Sequence, residues 1–211
     1  MKYLNKSHVT AYIALEPNVS MHGRIKQKAL DAGFSEENGS FLLLPYGAED
    51  IDSIRASLAA WSTGPGKAHS AHNTSETGIA IDTLTSILTL CSIPNPLNSL
   101  RALVRGILKP GGQLLFYEHV RNPRADVAWW QDVVAPVWRV CFDGCVIGLD
   151  GVEIIKEAII PGEGEVEDDT NRSSNEEGWA SMETWEKEGE DPENLFWHQV
   201  GRCVKNGADT L

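Results

Sequence analysis

Apolar runs of strand length alternate with apolar stripes at helical spacing from Val9 to Val120, and this alternation restricts the fold more than any other property of the chain. Val9 to Leu15 is rich in β-branched and aromatic residues, and after Pro17 and Asn18 the residues Met21, Ile25 and Ala29 recur at helical spacing as far as Gly33. Phe41 to Leu44 is the second run, after which Ile51, Ile54 and Leu58 share a helical face behind Asp50, a candidate N-cap. "IAIDTLTSILTL" is the third. It is followed by Leu100, Leu103, Val104 and Ile107, an i, i+3, i+4, i+7 stripe that stops at "KPGG", and "QLLFYEHV" is the fourth. Strands separated by helices of this length pair in parallel through crossover connections, so the predicted class is an α/β sheet covered on both faces.

The 211 residues suffice for one sizeable core, and a single domain over 1–211 is expected. Two stretches depart from the pattern. Residues 61–78 turn to Gly, Ser, Thr, His and Pro, the chemistry of a surface insertion. Residues 162–193 are acidic, and "EGEVEDDTNRSSNEEG" buries too little apolar surface to offset its ordering entropy, so a mobile segment is expected there. Ile154 to Ile160 reads as an edge strand or a helix, and "NLFWHQVGRCV" as the terminal strand closing the sheet. A net charge of -12 and a pI near 4.9 repel phosphate backbones and anionic lipid, which excludes nucleic acid and membrane surfaces as partners and leaves small molecules and proteins. The longest apolar stretches fall short of the roughly 20 residues of a bilayer span, and "MKYLNKSHVT" lacks the apolar core of a signal peptide; a cytoplasmic location is expected. Cys91, Cys141, Cys145 and Cys203 show no CxxC spacing and read as structural thiols in a reducing compartment.

Ligands of parallel α/β sheets bind at the carboxyl ends of the strands, and "YIALEPN" places Glu16 there. A carboxylate at that point either reaches solvent or accepts from the paired hydroxyls of a ribose. His119, at the end of the fourth run, either takes a proton from a thiol or hydroxyl or is satisfied by packing. Its neighbour Glu118 points to the opposite face of a strand, so the two do not share an ion. Cys141 and Cys145, four apart, are a weak metal signal, and no metal site is expected. "DVAWWQDVVAPVWRVCFDGC" carries Trp129, Trp130 and Trp138 in a helical stretch interrupted by Pro136; an aromatic wall for a planar acceptor and plain core packing both fit it.

"YIALEPNVSMH", "LLLPYGAEDI", "ILTLCSIPNP", "LRALVRGILKPGGQLLFYEHVRNP" and "PVWRVCFDGC", in that order, resemble the class I S-adenosylmethionine-dependent methyltransferases. Within them, the nearest likeness is to a fungal group similar to the methyltransferase-like thiol S-methyltransferases of animals. It runs from about Lys2 to about Cys145, with a weaker tail at "EGEDPENLFWHQVGRCVK". The resemblance implies a Rossmann-like, doubly wound, mostly parallel sheet and S-adenosyl-L-methionine as cofactor. By the same likeness Glu16 binds the ribose, Asn18 and Met21 lie near the adenosine, and Ala48 and Glu49 stand beside the adenine. Thr89, Leu90 and Cys91 pass the methionine end, His119 is the catalytic candidate, and the tryptophan-rich stretch covers the acceptor pocket. In the family a strand and a GxGxG turn precede the region that begins here with "KYLNKSHVTAYIALEPN", so on this reading the sheet lacks the first family strand. "TGPGK" at 63–67 follows a helix rather than a strand and does not replace that turn. An absent central strand leaves two open edges, a vacancy for a partner chain to fill. The implied function is methyl transfer to an oxygen, nitrogen or sulfur of a small-molecule acceptor, in a setting of fungal secondary metabolism. The alternative is a truncated, inactive remnant or a non-catalytic assisting subunit. A dehydrogenase-like nucleotide domain also places an acid after its second strand, but has no counterpart of "LLFYEHV".

Overall fold

The computed structural model describes residues 4, 7–63, 74–75, 78–79, 81–142, 144–160 and 178–207. By its contacts the chain divides into two compact units, Met1–Ile79 and Ala80–Leu211, a boundary inside what the sequence presents as one domain.

The first unit is built from β1 (Tyr12–Leu15), α1 (Val19–Asp31), β2 (Phe41–Leu44) and α2 (Ile51–Ser62). β1 and β2 pair in parallel, from Tyr12 opposite Phe41 to Leu15 opposite Leu44, joined by a crossover through α1. Both helices begin where the sequence offers a cap: Asn18 accepts from the Ser20 N–H at 3.0 Å and Asp50 from the Ser53 N–H at 3.2 Å. The small core gathers Ala14, Ala29, Phe34 and Phe41, with the Tyr12 ring stacked on Phe41 at 5.8 Å. α2 buries Ile54 and Leu58, two of the three residues of its expected stripe. Two short strands, β3 (Thr74–Ser75) and β4 (Gly78–Ile79), pair antiparallel within the stretch read as an insertion over 61–78. Residues 64–73, and with them most of "TGPGK", lie outside the described residues.

The second unit holds β5 (Ile81–Ile87), α3 (Pro96–Gly106), β6 (Leu108–His119), α4 (Ala125–Cys141), α5 (Gly151–Glu157), β7 (Trp179–Glu186) and β8 (His198–Lys205). Its strand order is β5-β6-β8-β7, parallel between β5 and β6 and antiparallel at the other two joins, so the sheet is mixed. The core is Leu90, Leu100, Val104, Leu108, Leu114, Phe116, Ile155, Ala158 and Cys203. Leu100, Leu103 and Val104 of the predicted stripe are buried, as is Ile107 just past the helix. "KPGG" does not precede the strand; it lies inside it. β6 opens at Leu108 opposite Ile81 and resumes at Gln113 opposite Thr83, so the intervening residues form a bulge, with Gly111 at a φ of +72° that favours glycine.

Two expectations are corrected here and a third, left open, is decided. "NLFWHQVGRCV" supplies β8, which is not the terminal strand of the sheet but an interior one, flanked by β6 and β7. The edge on that side is β7, which lies within the segment read as mobile over 162–193; residues 161–177 lie outside the described ones. β7 holds because Trp179 and Met182 pack on the core and the Trp179 indole donates to the Ile155 carbonyl at 2.9 Å. Ile154 to Ile160, left open between strand and helix, begins within α5, capped by Asp150 and buried through Ile155 and Ala158. No helix among the described residues is long and apolar enough to cross a membrane.

Candidate functional site

In the first unit the site residues assemble at the carboxyl ends of a parallel strand pair. The Glu16 N–H donates to the Leu44 carbonyl at 3.0 Å, which carries the β1 to β2 pairing one residue past β1. Glu16 is half-buried. One of its oxygens, Oε1, accepts from the Asn18 N–H at 2.8 Å and folds the chain toward α1, while its backbone carbonyl accepts from His22 Nε2 at 2.8 Å. Oε2 accepts no hydrogen bond among the described residues, and this suits a carboxylate that holds one further donor. Asn18 is exposed and spends its side-chain oxygen on the cap of α1, accepting from both the N–H and the hydroxyl of Ser20. Met21 is 39% exposed on the first turn of α1. Ala48, buried, and Glu49, exposed, lie in the turn that follows β2, at the same end of the strand pair as Glu16.

The second unit carries Thr89, Leu90, Cys91 and His119. A single buried carboxylate organises the first three. Glu118 is wholly buried, and its oxygens accept from Ser86 Oγ at 2.6 Å, the Thr89 N–H at 3.0 Å, the Leu90 N–H at 3.2 Å and Thr89 Oγ1 at 3.3 Å. It thereby fixes the 3-10 turn Leu90–Ser92 that closes the β5 strand. Burial raises its pKa, and the donors from Ser86, Thr89 and Leu90 work against that rise. Two residues before this turn, Leu88 sits at a φ of +54°, a conformation that non-glycine residues rarely adopt. Of the expected methionine-end segment only Thr89 is exposed; Leu90 belongs to the core, so only its backbone can serve a ligand. Strict alternation along β6 places Leu114, Phe116, Glu118 and Val120 on the buried face, and an acid on that face demands donors. That signal was present in the sequence, yet Glu118 enters the sequence reading only as the neighbour of His119.

His119 takes the other side of β6. It stands opposite His198 of β8 in register, with ring centroids 4.7 Å apart, and its ring lies 5.5 Å from that of Phe196. His198 Nδ1 donates in turn to Glu190 Oε1 at 2.5 Å. Burial, then the facing His198, lower the pKa of His119, and Glu190 opposes them only in part. A neutral imidazole at this position has a lone pair with which to accept a proton or bind an ion.

Cys141 and Cys145, the weak metal signal of the sequence, do not share a helix face, because α4 ends at Cys141. Cys141 is exposed, and the thiol beside Cys145 is that of Cys91, with the sulfurs 3.2 Å apart; all four cysteines are free thiols. The Cys91 carbonyl accepts from the Val146 N–H at 2.9 Å, which ties the two segments together at the backbone. Burial and the contact with Cys145 push the Cys91 thiol up to about 12. The sulfurs of Cys91 and Cys145 and a ring nitrogen of His119 all lie within 4.8 Å of one another. Cys203, buried in the core and also pushed up to about 12 by burial, is the structural thiol that the composition suggests. The tryptophan-rich stretch forms α4, but Trp129 and Trp130 are 57% and 54% exposed and therefore not core. Trp138 alone of the three is half-buried, stacked on Phe142 at 3.6 Å and against Phe196 at 4.7 Å.

No family model matches the chain. A stretch of 80 residues, 37% of this chain, is 42% identical to the thiol S-methyltransferase TMT1B of Rattus norvegicus, and a stretch of the same length is 34% identical to the thiol S-methyltransferase TMT1A of Homo sapiens. The chain spans 32% of the length of each of these two relatives. Among solved structures, the CurJ carbon methyltransferase superposes on 98% of this chain with a TM-score of 0.55 at 16% identity, over 44% of its own length. An O-methyltransferase family protein from Burkholderia thailandensis superposes on 93% of it with a TM-score of 0.50 at 11% identity, over 43% of its own length. The architecture is thus an α/β fold of the Rossmann-like kind found in methyltransferases.

Proposed function

We propose that this chain takes part in S-adenosylmethionine-dependent methyl transfer to a small molecule, with a thiol as acceptor. The observation that carries the reading is the 42% identity over 80 residues to a protein named as a thiol S-methyltransferase, in a chain with a methyltransferase-like fold. Glu16 accepts the ribose hydroxyls through the oxygen that the Asn18 turn leaves open, and Asn18, Met21, Ala48 and Glu49 line the nucleoside side of the site. In the second unit, taken by itself, Glu118 holds Thr89, the Leu90 backbone and Cys91, the segment that the resemblance assigns to the amino-acid end of the cofactor. The cofactor, when bound, supplies a methyl group on a sulfonium sulfur. His119 takes the proton of the acceptor thiol at a ring nitrogen, so that a thiolate attacks in line; its lowered pKa keeps it in the accepting form. The acidic surface and free thiols support a cytoplasmic setting, and the fungal resemblance one in secondary metabolism.

A second reading has its own observation. β5 is a terminal strand of its sheet, with Ile87 57% exposed on it, and a strand paired on one side alone among the described residues suits a non-catalytic subunit whose sheet is completed by another strand. Mass spectrometry of the full chain with S-adenosylmethionine and a panel of small thiols, phenols and amines separates the two. An S-methyl product supports the thiol transferase, methylation only of oxygen or nitrogen removes the thiol, and no product from folded protein removes the transferase.

A further inference from the structure

We infer that Cys91, Cys145 and His119 form a binding site for a thiophilic metal ion of the Zn²⁺ class. The three ligand atoms come from three separate places in the second unit: the 3-10 turn after β5, the end of β6, and the loop after α4. They nevertheless lie within 4.8 Å of one another. A tetrahedral Zn²⁺, with bonds of about 2.3 Å to sulfur and about 2.0 Å to nitrogen, sets its ligand atoms roughly 3.5 to 3.8 Å apart. The sulfurs, 3.2 Å apart, therefore need to open by about half an ångström, within reach of a small side-chain rotation. Two features hold the ligands in place without using their ligating atoms. The Cys91 carbonyl accepts from the Val146 N–H at 2.9 Å, which fixes Cys145 beside Cys91, and Glu118 anchors the Thr89 and Leu90 N–H groups directly before Cys91. Two thiolates and an imidazole favour Zn²⁺ over Mg²⁺ or Ca²⁺, which prefer oxygen.

Three protein ligands leave a fourth position for water or an external thiol. In that state His119 is a ligand and not a base. A thiol that coordinates at the open position forms a metal–sulfur bond as its S–H bond breaks, the proton passing to solvent. This last consequence rests on the thiol-acceptor reading above, whereas binding of the ion does not.

The test is a titration of the reduced full chain with Co²⁺, in a reductant without thiols, read through the sulfur-to-cobalt charge-transfer band and the intense visible bands of tetrahedral Co²⁺, followed by displacement with Zn²⁺. One ion per chain is expected, with Cys145→Ser and His119→Gln each weakening it by at least about tenfold and Cys141→Ser leaving it unchanged. Cys91 is buried, so its serine variant is read only beside a circular dichroism spectrum; half-buried Cys145 and His119 carry the test if that variant does not fold. Absence of the charge-transfer band in folded, reduced protein overturns the proposal. So does a band that survives Cys145→Ser but is lost in Cys141→Ser, or a chain isolated with a Cys91–Cys145 disulfide that takes up no Co²⁺ after reduction.

Discussion

Glu118 is the side chain on which the candidate residues of the second unit depend. Truncation to alanine takes the acceptor from the buried Leu90 N–H and from the Thr89 N–H, and leaves Ser86 Oγ only its contact with Thr89 Oγ1 at 2.8 Å. Glu118→Ala is therefore expected to cost about 2 to 4 kcal/mol, read as a lower urea midpoint at an unchanged slope. Glu190 answers to pH. Burial pushes its carboxyl up, but hydrogen bonds from the His198 ring and backbone and from Asn194 outweigh this and hold it below the usual carboxylate range. Its folded-state pKa lies below its unfolded one, so its contribution is present above the unfolded value of about 4.3 and is lost as pH falls through the folded value. Urea midpoints measured downward from neutral pH should fall in that acid window, and the fall should be shallower in Glu190→Gln. An equal slope in the variant would assign the acid sensitivity to other groups.

At the level of elements, the central pairing of β6 with β8 is set by one small residue. Gly201 lies opposite Phe116, and a β-carbon there would meet the Phe116 ring at 2.3 Å and the Glu183 carbonyl at 2.7 Å. Gly201→Ala is expected to destabilise the chain by about 1 to 3 kcal/mol and to increase amide exchange along β6 and β8; native-like exchange would show that the strands separate without cost. The elements also mark how far the sequence could be read. β1, β2, β5 and most of β6 follow from apolar runs of ordinary strand length, α1 and α2 from stripes with identifiable caps, and α3 from its stripe alone. β7 does not, because only Trp179 and Met182 of its residues pack on the core, and an edge strand exposed along most of its length has the composition of a loop. The interior place of β8 was hidden for the same reason, since without β7 it has no strand on its far side.

Across the whole molecule, short-range rules found the candidate residues of the first unit better than those of the second. Glu16 and the turn at Ala48 and Glu49 follow strands whose ends are marked by Pro17 and Pro45, so their shared position could be read from parallel pairing alone. Nothing local joins Cys91 to Cys145, 54 residues further on; their approach depends on how α3, β6 and α4 return the chain. Cys141 and Cys145, four apart in sequence, do not share a helix face, because α4 ends at Cys141 and the chain turns through Gly144, at a φ of +87°, before Cys145. The role of Glu16 can be tested apart from folding, because glutamine at that position keeps a carbonyl oxygen for the Asn18 N–H while removing the charge. Calorimetric titration of S-adenosylhomocysteine, the demethylated cofactor, into the full chain and into Glu16→Gln is the most direct measurement. Saturable binding is predicted, weakened about tenfold or more in the variant at an unchanged urea midpoint. Equal affinity in the two proteins, or no heat from the folded parent, would contradict the account.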